Sequence, residues 1–129
     1  MNRSSGVTYD AGALIAAERH SGSAWTLHRE LLARKVYPTL PTVVLGQVWR
    51  GGPQARLSRF VRSCHIEPFT ERQARAAGVA LAASGGSDLV DAAVVVAALA
   101  RKDLVVTSDP DNLRRIASAL GRELAVHVV

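Results

Sequence analysis

Val7-Thr8-Tyr9-Asp10-Ala11-Gly12-Ala13-Leu14-Ile15 is where the class of the fold can be read. Its first three residues are β-branched or aromatic, side chains that fit a strand. After Asp10 the chain turns at once to alanine, leucine and isoleucine, so a helix over 11–19 follows with no loop between. A strand that runs straight into a helix is the opening of an α/β domain.

The same unit recurs near the other end, where Leu104-Val105-Val106-Thr107 predicts a strand and Pro110 opens a helix over 110–120. A last strand is expected over 124–129. Between these ends, Ser23 is a candidate cap for a helix to about Lys35, and 38–40 is a short strand. Thr42 is the candidate cap of a helix through Trp49, which Gly51-Gly52-Pro53 stops. In the next helix Leu57, Phe60 and Val61 recur at i, i+3, i+4 and face inward, while Arg56, Arg59 and Arg62 face water. A strand over 65–69 leads to Thr70 and Gln73, a capping box for a helix reaching Ala83. In 88–100, Val94-Val95-Val96 would suit a strand. The length and alanine content favour a helix, and apolar residues all round mean that it is buried. Strands that alternate with helices imply a parallel sheet covered on both faces, an α/β three-layer sandwich.

A chain of 129 residues fits one domain, expected over 1–129, and 48% hydrophobic residues suffice for its core. The single cysteine, Cys64, excludes an internal disulfide and reads as a small core residue. The start has no apolar run of signal-peptide length, and the longest apolar stretch, 92–100, is about half of what spans a bilayer. The expectation is a soluble, cytoplasmic protein with no membrane contact. A net charge of +5 points to a polyanionic partner and makes the placement of the few acids informative.

The six aspartates are Asp10, Asp88, Asp91, Asp103, Asp109 and Asp111, and none lies between 11 and 87. Asp10 and Asp109 each follow a predicted parallel strand, at the sheet edge where open α/β sheets bind ligands. Asp88 and Asp91 stand three apart at the start of the buried helix and share a face. Carboxylates so gathered repel one another, and a hard cation such as Mg²⁺ reverses the sign. Each has an ordinary structural reading too. Asp10, Asp88 and Asp109 can be helix caps, and Asp91 in a first turn suits the helix dipole. Capping does not require them to converge, however. Asp103 reads as a solvated loop charge, and the four histidines lack zinc-ligand spacing.

Four blocks carry a resemblance: residues 8–15, 41–48, 91–95 and 107–111. In order and spacing they resemble PIN domains, in particular the VapC toxins of bacterial toxin–antitoxin pairs. The resemblance implies a PIN-like sandwich that hydrolyses RNA with Mg²⁺ or Mn²⁺ on an acidic cluster. Position by position, it makes Asp10, Asp91 and Asp109 the metal-site acids, with Asp88 and Asp111 beside them. The family's second block ordinarily carries a glutamate where this chain has Gln47, which keeps an oxygen donor but loses the charge. Gln47 would orient a water or the substrate. Arg50, Arg56, Arg59 and Arg62 are candidate phosphate contacts, with a solvated helix face as the alternative. A cognate antitoxin and a homodimer are the expected protein partners. The rival readings are a PIN-like module that binds RNA or protein without cutting, and a phosphoacceptor receiver domain. The second would need a mid-chain aspartate, which this chain lacks.

Overall fold

The computed structural model describes residues 6–129; the stretch 1–5, on which the expectation of no signal peptide partly rests, lies outside them. Among the described residues five strands alternate with seven helices. The order is β1 Val7–Tyr9, α1 Ala11–Glu18, α2 Gly22–Ala33, β2 Thr39–Pro41, α3 Thr42–Val48, α4 Ala55–Arg62 and β3 His65–Glu67. There follow α5 Glu71–Ser84, α6 Leu89–Arg101, β4 Leu104–Thr107, α7 Asp111–Ala119 and β5 Val126–Val128. All pairings are parallel, in the order β3-β2-β1-β4-β5. This is the expected three-layer α/β/α architecture.

Alternation along β1 separates the two faces. Tyr9 points into an aromatic cluster, stacked on Phe60 of α4 at 5.1 Å and hydrogen-bonded through its hydroxyl to His28 Nδ1 of α2 at 2.7 Å. Trp25 closes the cluster edge-on against Phe60. Thr8 points to the other face, where its hydroxyl donates to Asp103 and accepts from Arg101 at the end of α6. There α5, α6 and α7 pack against one another, whereas α1 packs with α2, α3 and α4. Helix α6 is buried along Ala92, Ala93, Val94, Val95, Ala97 and Ala98, so its valines pack a helix and not a strand. No single helix among the described residues is long and apolar enough to cross a membrane.

Several local expectations shift. The cap of α2 is Ser21, whose hydroxyl accepts from Ala24, and not Ser23. Pro41 holds the cap position of α3, so Thr42 is already helical. Pro110 holds the cap position of α7, and Asp109, one residue earlier, keeps a weak capping contact, its Oδ1 accepting from Asp111 N at 3.4 Å. Asp103 is not solvated. It is 5% exposed and held by Thr8 at 2.7 Å and by Arg101 Nε at 3.0 Å, because the long Arg101 side chain folds back over the sheet.

Candidate active site at the carboxyl end of β1 and β4

The strand order reverses its direction of growth between β1 and β4, and a crevice opens at such a switch point beyond the carboxyl ends of the strands. Asp10 follows β1 there, and Thr107 ends β4. Asp10 caps α1: its Oδ1 accepts from Gly12 N at 2.8 Å and Ala13 N at 3.3 Å. Its Oδ2 accepts from the Thr107 hydroxyl at 2.7 Å, across 97 residues of sequence. The same hydroxyl oxygen accepts from Asp109 N at 3.1 Å, so Thr107 ties the two aspartates together. The close approach depends on Gly12, where a Cβ would stand 2.5 Å from Ser108 N.

Asp91 comes in from the first turn of α6, positioned by Asp88, whose Oδ1 accepts from Asp91 N at 3.0 Å. Its Oδ2 accepts from Asn112 Nδ2 of α7 at 2.6 Å. Arg115 fixes that amide by donating to Asn112 Oδ1 at 2.7 Å and to the Ser84 carbonyl at 2.6 Å. Asp109 is exposed, and its Oδ1 takes a long 3.4 Å bond from Asp111 N.

The carboxylates feel one another. Burial pushes the Asp10 carboxyl up to about 6; the bonds from Thr107, Ala13 and Gly12 pull it down, and the charge of Asp91 raises it again. Asp91 is raised by burial first and then by the charges of Asp88 and Asp109, against the bond from Asn112. Asp10, Asp88, Asp91 and Asp109 are thus electrostatically linked through Asp91. They are linked in pairs, however: among the described residues no three His, Cys, Asp or Glu side chains are grouped so as to hold a metal ion. The donor set is nonetheless all carboxylate oxygen. Asp91 Oδ1 and Asp109 Oδ2 accept no hydrogen bond among the described residues, which suits a hard cation.

Gln47 stands apart. It is exposed and lines a recess of about 400 Å³ along α1 with Ala11, Glu18, Arg19 and Arg50, and among the described residues no hydrogen bond joins it to an aspartate. Arg56 and Arg59 line a second recess beside α1, while Arg62 lines an apolar one with Leu45 and Trp49. Thr107, Asn112 and Arg115 join the site without having been singled out from the sequence. Thr107 has a short-range signal, a hydroxyl two residues before an aspartate at a strand end. Asn112 has none, because its partner lies 21 residues away.

No protein-family model matches this chain, and no curated protein sequence matches it. Among solved structures it superposes on a chain of VapBC2 from Rickettsia felis, a complex solved bound to a DNA fragment from its promoter. The TM-score is 0.72 over 95% of this chain and 98% of that chain, with 18% sequence identity. At that identity the likeness is one of fold.

Proposed function

We propose that this protein is a Mg²⁺- or Mn²⁺-dependent ribonuclease, the toxin of a VapC-like toxin–antitoxin pair. The observation that carries the reading is that the Thr107 hydroxyl joins Asp10 to Asp109, from opposite ends of the chain, at the switch point of the sheet, with the Asp91 carboxylate close enough for its charge to act on Asp10. A basic chain gains nothing in stability from pressing acids together, and a bound cation reverses that cost. The shared fold with a VapBC2 chain supports the same reading and makes an antitoxin the expected partner.

Asp10, Asp91 and Asp109, linked in pairs but not grouped as three without an ion, would hold it, with Asp88 and Asp111 beside them. When bound, it supplies a Lewis acid that lowers the pKa of water and offsets charge on the phosphate. The chain's own part is positioning. Thr107 and the first N–H groups of α1 fix Asp10, and the Asn112–Arg115 pair turns one oxygen of Asp91 away and leaves the other free. Hydrolysis would leave 5′-phosphate and 3′-hydroxyl ends.

The test is a labelled structured RNA incubated with Mg²⁺ or Mn²⁺ and then with EDTA, alongside Asp10→Asn and Asp91→Asn. Cleavage is expected to need metal and to disappear in both variants; cleavage that survives either substitution would place the site elsewhere. One observation favours a second reading, a PIN-like module that binds without cutting. Gln47 brings no charge to the site and faces the α1 recess. RNA bound but uncut by the wild type, with cutting gained in Gln47→Glu, would select it.

A further inference from the structure

The two recesses meet at Glu18, which lines both. The first, about 400 Å³, begins at Ala11, next to Asp10; the second, about 550 Å³, ends at His20 and Pro53. The first follows α1 from Ala11 to Glu18, about 12 Å at 1.5 Å per residue, and the second continues past the end of that helix. Arg19 and Arg50 line the first part, Arg56 and Arg59 the second, and all four are exposed. None of them is ion-paired: the salt bridges among the described residues join Arg75 to Glu71, and Arg101 to Glu67 and Asp103. Arg50 donates to the Trp49 carbonyl, and Arg59 lies 5.9 Å from the Trp25 ring, contacts that leave both charges unbalanced.

A solvated helix face would be convex and would belong to one helix. Here the cations come from the end of α1, the end of α3 and from α4, and they line a groove made of the two recesses that meet at Glu18. The acid lining this groove is Glu18, half-buried at the joint of the two recesses, with its Oε2 accepting from Gln54 Nε2 at 2.7 Å. We infer that this groove is a track for the phosphate backbone of one RNA strand, leading along α1 to Asp10. The inference rests on the ribonuclease reading for the identity of the strand, while the geometry of the groove is independent of cleavage. Of the four arginines singled out from the sequence, Arg50, Arg56 and Arg59 join Arg19 in the track, and Arg62 lies outside it.

The experiment is the binding of a short labelled single-stranded RNA to the full chain in EDTA, by fluorescence anisotropy, as salt rises. Each phosphate contact contributes about 0.7 to the slope of log affinity against log salt, so four arginines give about 3. That is a loss of about 50-fold between about 50 and about 200 mM salt. Arg19→Gln, Arg50→Gln, Arg56→Gln and Arg59→Gln should each reduce the slope by about 0.7. Glu18→Gln, which keeps the acceptor for Gln54, should tighten binding. Arg62→Gln and Arg122→Gln, the latter at the far edge beside β5, should leave the slope unchanged. Unchanged slopes in Arg19→Gln and Arg56→Gln, or an equal loss in Arg122→Gln, would overturn the track. Reduced slopes in a chain that cuts no RNA would support the track while removing the ribonuclease reading. Unchanged slopes in a chain that does cut would remove the track alone.

Discussion

Replacing Asp10 by asparagine, with no metal present, should stabilise the fold at neutral pH. The carboxyl is 6% exposed, and burial, with the Asp91 charge adding, pushes it from 3.8 to about 6 despite three hydrogen bonds. At about 1.4 kcal/mol per unit, keeping it ionised costs the fold about 3 kcal/mol. The folded value lies above the unfolded one, so the folded chain holds the extra proton in that window. The cost is absent well below pH 3.8, grows as pH rises through the window, and is complete above about 6. Asparagine keeps the shape and an acceptor for Gly12 and Ala13, and its Nδ2 can donate to the Thr107 oxygen once that hydroxyl turns to the Asp109 carbonyl, 3.3 Å away. Urea unfolding in EDTA should show a gain of about 3 kcal/mol at pH 7, worth on the order of 10 °C in Tm. At pH 4 the gain should shrink below about 1 kcal/mol. No gain at pH 7, or a gain that persists at pH 4, would contradict this account of Asp10. His28 works in the opposite sense. It is 2% exposed, and burial holds it neutral by lowering its pKa from 6.5 to about 4. Its contribution, also about 3 kcal/mol, is present above pH 6.5 and lost as pH falls towards 4. The two trends oppose each other over nearly the same range. The Asp10→Asn variant should therefore lose stability in acid more steeply than the wild type, and His28→Gln should gain it.

Thr107→Val removes the hydroxyl that donates to Asp10 and accepts from Asp109 N. A hydrogen bond to a charged group is worth about 1.5–3 kcal/mol, so urea unfolding should show that loss at pH 7 and a smaller one at pH 4. Gly12→Ala would press a methyl onto Ser108 Oγ and to 2.5 Å from Ser108 N. Backbone cannot yield as a side-chain tip can, so destabilisation of about 1–3 kcal/mol is expected, with loss of RNA cleavage even where the chain remains folded. Arg101→Ala would leave Asp103 buried without its cation and strip Glu67 of its partner. Breaking such a pair from one side costs about 3–5 kcal/mol, readable as a fall in the urea midpoint with no effect on metal affinity.

The α1 and α6 caps at Asp10 and Asp88, the Thr70–Gln73 capping box and the buried character of α6 are all legible in the amino-acid sequence. Each is a relation between residues no more than a turn or two apart. The acids at the sheet edge are legible for a related reason, since each follows a strand and parallel strands end on one side. Local plausibility misleads elsewhere. Asp103 in a charged turn looks solvated until Arg101 folds over it, and Ser23 looks like the cap of α2 where Ser21 holds that position.

Strand and helix periodicity and capping are short-range physics, so the order of residues alone sets the elements, their kind and the rim on which the aspartates stand. Which acids feel one another is a matter of tertiary packing. The strand order sets β4 beside β1 and so brings Thr107 to Asp10, while the packing of α7 on α6 delivers Asn112 to Asp91. Packing likewise turns Gln47 towards the α1 groove and seats His28 in an aromatic core. Such pairings depend on how the whole set of apolar faces is buried at once, a sum of many small terms that no local stretch contains.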